Sequence, residues 1–219
     1  VSDLSKNMEP YDIIQHKGFL RNLIIRYTDN THEIMINFVT AFEDIEALKP
    51  LVNKLVTSIK NIKSIVNNIT DRKAGVSIGK YEITLYGKNI IKENINGMIF
   101  NISANSFFQT NTKQAEKLYS KIINESDLNG SEVVYDLYCG TGTIGISMAK
   151  YVKVVYGFEI NKTAINDAKI NAEINNIKNA YFFKGDLQNI FRVNLATKKI
   201  EKPNIIIIDP PRAGMHKKT

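Results

Sequence analysis

The chain has a single cysteine among 219 residues and only three histidines. One thiol excludes an internal disulfide framework and any zinc or iron–sulfur centre built from several thiolates. His16, His32 and His216 have no ligand spacing, so no metal is expected. No apolar run approaches the ~18 residues that span a bilayer; the longest candidate is 205–208. The N-terminal residues 1–10 are polar and lack a signal-peptide profile. Internal repeats and low-complexity linkers are also missing. These absences exclude a disulfide-stapled secreted domain and a membrane-spanning helix. They favour a reduced, cytoplasmic enzyme or binding protein with no membrane partner, and they leave the oligomeric state open.

What is present is ordinary for a folded protein: 43% hydrophobic and 23% charged residues. The length suits one large or two modest domains. A net charge of +7 raises the case for a polyanionic partner. Abundant Lys, Asn and Ile would also follow from an AT-rich coding sequence, so charge alone leaves nucleic acid and a plain basic surface equally open. The excess lies mostly beyond residue 100 and thickens at Lys198, Lys199, Lys202, Arg212, Lys217 and Lys218.

Residues 1–105 read as an α+β domain. Strands are expected over 20–27 and 33–39 with a hairpin turn between them, then over 62–69, 81–86 and 98–102. Asp44 can cap a helix running towards Lys60, although Pro50 fits best in a first turn and so argues for a later start. Residues 106–219 alternate helix and strand: helix from Asn111, strand 133–137, helix 144–151, strand 152–158, helix 162–175, strands 180–184 and 204–208. Such alternation implies βαβ units and a parallel sheet. Strand 205–208 reads as an unbroken apolar, buried strand that would be central in a complete sheet. Its next neighbour is expected to be missing, which leaves an apolar edge that invites pairing.

Between the first of these strands and its helix stands Asp136-Leu137-Tyr138-Cys139-Gly140-Thr141-Gly142-Thr143-Ile144-Gly145. Gly140, Gly142 and Gly145 fit G-x-G-x-x-G, which in this context marks a nucleotide site because a ligand can approach the bare backbone. Glu159 closes the next strand, where a carboxylate can accept both ribose hydroxyls of an adenosine. A dehydrogenase would share this geometry. Asp209-Pro210-Pro211-Arg212 favours a methyltransferase using S-adenosylmethionine (SAM), since many such enzymes acting on bases place an Asp-Pro-Pro loop beside the cofactor. Asp186 is placed either to reach the adenine amino group or simply to make a turn.

Taken with Ser106-Phe107-Phe108-Gln109-Thr110-Asn111 and the run Asp209 to Gly214, the glycine turn resembles that of the RNA 5-methyluridine methyltransferases, bacterial 23S rRNA type. Gly18-Phe19-Leu20-Arg21 resembles the start of that family's central domain. The resemblance implies an α+β central, RNA-contacting domain over 1–105. It also implies the first part of a class I, Rossmann-like SAM-binding sheet over 106–219. It implies SAM contacts by Gln109, Tyr138, Gly140, Glu159, Asp186 and Asp209, and RNA as partner, with ribosomal RNA favoured over tRNA. Tyr138 could equally serve core packing, Phe107 could face the uracil or the core, and Arg212 could meet phosphate or hold the Pro-Pro loop. The family attacks uracil C6 with a cysteine thiolate and removes the C5 proton with a carboxylate. Both groups are expected beyond Thr219, Cys139 is expected to pack rather than attack, and no catalytic residue is assigned within the chain. The family's N-terminal barrel and its cysteine-ligated cluster are not seen in the sequence, so an inactive internal fragment is expected. A non-catalytic SAM- or RNA-binding module and a methyltransferase of another base, such as guanine, are the alternatives.

Overall fold

The computed structural model describes residues 8–72, 79–185, 187, 200–210 and 214. The chain divides into two compact units, Val1–Glu93 with Ser103–Asn105, and Asn94–Ile102 with Ser106–Thr219.

In the first unit β1 (Leu20–Tyr27) and β2 (Ile34–Thr40) pair antiparallel. Helix α1 (Ile45–Ser58) then crosses to β3 (Ile62–Ile69), parallel to β2, and β4 (Tyr81–Gly87) returns antiparallel to β3. Leu48, Leu51 and Val52 recur at helical spacing on α1 and pack against Ile36, Phe38, Ile62 and Ile65 of the sheet. Asp44 caps the helix by accepting from the Ala47 amide at 3.0 Å. The later start argued from Pro50 is therefore corrected: the helix begins at Ile45 with Pro50 inside it. Pro50 cannot donate to the Glu46 carbonyl, but both residues are exposed, so water can take that carbonyl.

A two-stranded pair, β5 (Ile90–Ile95) and β6 (Met98–Ser103), turns at Asn96 and Gly97, both at positive φ. Strand β5 is not foreseen from sequence, because Glu93 occupies an inward position between Ile91 and Ile95. Its carboxylate is satisfied there by the amides of Asp29 at 2.7 Å and Asn30 at 3.1 Å.

The second unit holds helix α2 (Thr112–Glu125) and the alternation β7 (Val133–Leu137), α3 (Thr143–Ala149), β8 (Val154–Glu159), α4 (Lys162–Ile174), β9 (Ala180–Lys184) and β10 (Ile205–Ile208). The four strands are parallel in the order β10-β7-β8-β9, a Rossmann-like α/β sheet. One face is aromatic: Tyr135 meets Tyr156 and Phe158 edge-on, and Phe183 stacks on Phe158. The other face is kept thin so that α3 and α4 can approach, with Gly157 lying beneath Phe182. The expectation that 205–208 is buried needs correcting. Among the described residues β10 pairs only with β7, and Ile206 and Ile208 are 53% and 47% exposed.

A Cβ on Gly157 would lie 2.5 Å from Phe182 Cδ1 and 3.0 Å from Cys139 Sγ. Gly157→Ala should therefore lose about 1–3 kcal/mol of stability in urea unfolding. Adding Phe182→Leu should recover part of that loss. Wild-type stability in the single variant would refute this account of the packing.

Candidate functional site

The chain runs through β7, β8 and β9 in one direction across the sheet, then returns to place β10 on the other side of β7. The order therefore reverses between β7 and β10, and open parallel sheets bind ligands in the crevice outside the strand ends at such a point. Phe107, Phe108, Gln109, Tyr119, Asp136, Tyr138, Cys139, Gly140, Thr141 and Asp209 line that crevice. Its enclosed part is only about 30 Å³. That is room for about one water molecule, so a nucleoside-sized ligand must lie across the open mouth.

The turn after β7 is built from left-handed residues: Tyr138 at φ +62, Gly140 at +53 and Gly142 at +79. At Gly142 a side chain is barred twice, by φ and by Phe182, 2.9 Å from where its Cβ would stand. At Gly140 nothing lies within 4 Å of that position, so this glycine gives the turn its φ and leaves open space in front. Tyr138 accepts a strained backbone, worth of order 1–3 kcal/mol, to hold its ring in place. The ring both lines the crevice and packs against the aromatic core.

Glu159 ends β8, where its carboxylate accepts from the Gly140 amide at 3.3 Å and the Asn161 amide at 2.8 Å. Asp136 is buried beneath the turn, and its Oδ2 accepts from the Gly145 amide at 3.0 Å. Its Oδ1 has no partner among the described residues. Burial pushes the Asp136 carboxyl up to about 7 against the lowering effect of the Gly145 amide, and the charges of Asp209 and Glu159 raise it further. Tyr119, on α2, shares a 2.9 Å hydrogen bond with the Thr143 hydroxyl, and burial pushes its phenol up to about 12.

Asp136 and Tyr119 were not singled out by sequence reasoning. An acid at the end of an otherwise apolar buried strand was the signal for the first; the second had none beyond its place on the apolar face of α2. Gln109, Tyr138, Gly140 and Asp209 converge on the crevice, with Glu159 against Gly140. Phe107 is 71% exposed, which removes its core reading. Burial raises the Cys139 thiol well above its ordinary range, as suits a packing residue. Asp186 and Arg212 lie outside the described residues. A larger groove of about 740 Å³ runs along α2 between Lys113, Lys117, Lys121 and Asn96, but no buried ionisable group faces it. Among the described residues no group of three or more His, Cys, Asp or Glu could hold a metal, and no helix is long and apolar enough to cross a membrane.

The family model for tRNA (uracil-5-)-methyltransferases matches residues 48–219. The chain belongs to that family. An RNA methyltransferase of Chlorobaculum tepidum is 41% identical over 216 residues, covering 98% of this chain and 45% of that protein. One of Clostridium acetobutylicum is 42% identical over 214 residues, with 96% and 45% covered. The chain thus spans about half the length of the curated relatives it matches. Among solved structures, the Pyrococcus abyssi tRNA (uracil-54, C5)-methyltransferase in complex with S-adenosylhomocysteine superimposes with a TM-score of 0.75 at 30% identity. That match covers 99% of this chain and 50% of that one. The Methanocaldococcus jannaschii tRNA m1G37 methyltransferase, at 16% identity and a TM-score of 0.51 over 88% of this chain and 55% of its own, shares the fold alone.

In this member of the uracil-5 family the Asp136 carboxyl makes stability depend on pH. The native state keeps its proton up to about pH 7, whereas the unfolded chain ionises near 3.8. The native state therefore binds more protons across that window, and stability should fall as pH rises through it, by at most about 1.4 kcal/mol per pH unit. Asp136→Asn should flatten the profile, so the variant gains on wild type between about pH 4 and pH 7 in urea unfolding and keeps that gain above it. Parallel profiles would show that Asp136 ionises normally.

Proposed function

We propose that the crevice binds SAM and that the full-length protein uses it to methylate uracil C5 in RNA. The observation that carries this reading is the buried oxygen of Asp136 that has no partner among the described residues, beside two further carboxylates, Glu159 and Asp209. Such a mouth repels the pyrophosphate of a dinucleotide and favours a cation. SAM carries two positive groups, a sulfonium and an ammonium. Asp136 Oδ1, on giving up its proton, accepts from the ammonium. Glu159, held at Gly140, is placed for the ribose hydroxyls; Gln109 offers a donor and an acceptor to the methionine end. Tyr138, Gly140 and Asp209 line the crevice; Tyr138 is assigned a flat wall, Gly140 the approach of the ligand to the backbone, and Asp209 the methionine and target base. Asp186 is assigned the adenine amino group.

When bound, the cofactor supplies an electrophilic methyl group. Uracil C5 is a weak nucleophile, and family chemistry activates it by thiolate addition at C6. Cys139 is buried with its proton held, so the nucleophile and the base are proposed to lie outside these residues, and this chain alone to be inactive. The first unit is proposed to contact RNA. Membership of the uracil-5 family supports uracil over guanine. The Tyr138-to-Thr143 form of the turn keeps 23S rRNA ahead of tRNA as substrate, although the Pyrococcus enzyme acts on a tRNA uracil.

The full-length protein, given SAM and transcripts of 23S rRNA and tRNA, should yield 5-methyluridine by mass spectrometry, first in the ribosomal transcript. Methylguanosine, or no methyl transfer to either RNA, would overturn the assignment. In calorimetry SAM should bind and NAD should not. Glu159→Ala should weaken SAM by about tenfold or more, because hydrogen bonds to a charged group contribute about 1.5–3 kcal/mol each. Unchanged affinity would remove Glu159 from the site.

A further inference from the structure

Two asparagines at the C-terminal end of α4, Asn171 within the helix and Asn175 as its C-cap, one helical turn apart, pair with the edge of β6 as a neighbouring strand would. The Asn175 carboxamide accepts from the Ile99 amide at 2.9 Å and donates to the Ile99 carbonyl at 2.6 Å. The Asn171 carboxamide accepts from the Asn101 amide at 2.8 Å and reaches the Asn101 carbonyl at 3.5 Å. Asn171 alone goes further: its Nδ2 donates to the Thr141 carbonyl, inside the glycine turn, at 3.1 Å. Asn171 and Thr141 are both buried, so this carbonyl would otherwise be shut away from water. On the other side of β6, Phe100 meets Phe108 with ring centroids 6.5 Å apart, and Phe108 stands between Phe107 and Gln109.

We propose that Asn171 is a positioning residue that ties the Phe107–Gln109 wall of the crevice to the glycine turn through β6. Contacts run without a break from Phe108 to Phe100, along β6 to Asn101, through the Asn171 carboxamide to Thr141. The two walls come from separate segments, 107–109 and 138–142, and the carboxamide sets their spacing. Its role in cofactor affinity rests on the reading that the crevice binds SAM; the tie itself does not.

Asn171→Ala and Asn175→Ala both strip β6 of its partner, but only the first frees the glycine turn. Both should lower stability in urea. SAM affinity should fall about tenfold in Asn171→Ala, the loss expected for one buried hydrogen bond, and less than about twofold in Asn175→Ala. Equal losses, or none in Asn171→Ala, would reduce Asn171 to a packing residue. If the wild type does not bind SAM, the cofactor reading fails and amide exchange in the ligand-free chain decides the tie. Asn171→Ala should then speed exchange at Gly142 by about tenfold while Asn175→Ala leaves it unchanged; equal rates overturn the proposal. Should Asn171→Ala fail to fold, native-state exchange in the wild type serves instead. The amides of Asn101 and Gly142 should open in one step of common free energy, and separate openings overturn the tie.

Discussion

The hydrogen bond from the Gly145 amide to Asp136 Oδ2 joins the end of the central strand to the helix that follows it. It demands a glycine, since a Cβ at 145 would stand 3.0 Å from Asp136 Oδ2 and 2.9 Å from Val155 Cγ1. With α3 drawn onto the strand, the residues between them must reverse within a few steps, and the left-handed run at Tyr138, Gly140 and Gly142 does this. That turn brings the Gly140 amide to Glu159 and the Thr143 hydroxyl to Tyr119. A single buried carboxyl thus sets the seat of α3 and the form of the turn.

The same carboxyl is a standing cost. One oxygen is bonded and the other is buried without a described partner, beside two more acids. A buried, half-satisfied carboxyl destabilises the ionised form, and the protein keeps its proton instead. A cation that supplies the missing hydrogen bond relieves this and stabilises the native state in proportion to its affinity. Local instability and ligand preference have one origin here, as is common where strained or unpaired groups gather at a binding site.

Much of this could be read from the chain beforehand. The G-x-G-x-x-G spacing between strand and helix, Glu159 at the next strand end and the Phe107-Phe108-Gln109 run placed the crevice, because each rests on local patterns. Reading failed where tertiary contacts override them. Glu93 disguises β5 because a carboxylate sits where the alternation calls for an apolar residue, satisfied by two amides from some sixty positions away. Pro50 misled because the carbonyl it leaves free is on the wet side of α1. Asn171 and Asn175 look like ordinary polar helix residues, and nothing in their spacing reveals that they stand in for a strand. Asp136 was visible as a letter of the motif, but its missing partner belongs to the fold.

The most direct test of the central claim is the number of protons exchanged when SAM binds, measured by calorimetry near pH 6.5 in buffers of different ionisation enthalpy. Asp136 is mostly protonated there in the free protein, and a cation at its Oδ1 lowers its pKa. Binding should release most of one proton, and none in Asp136→Asn. Binding of SAM by the wild type with no proton release would contradict the account, because the cation would then not have met that carboxyl.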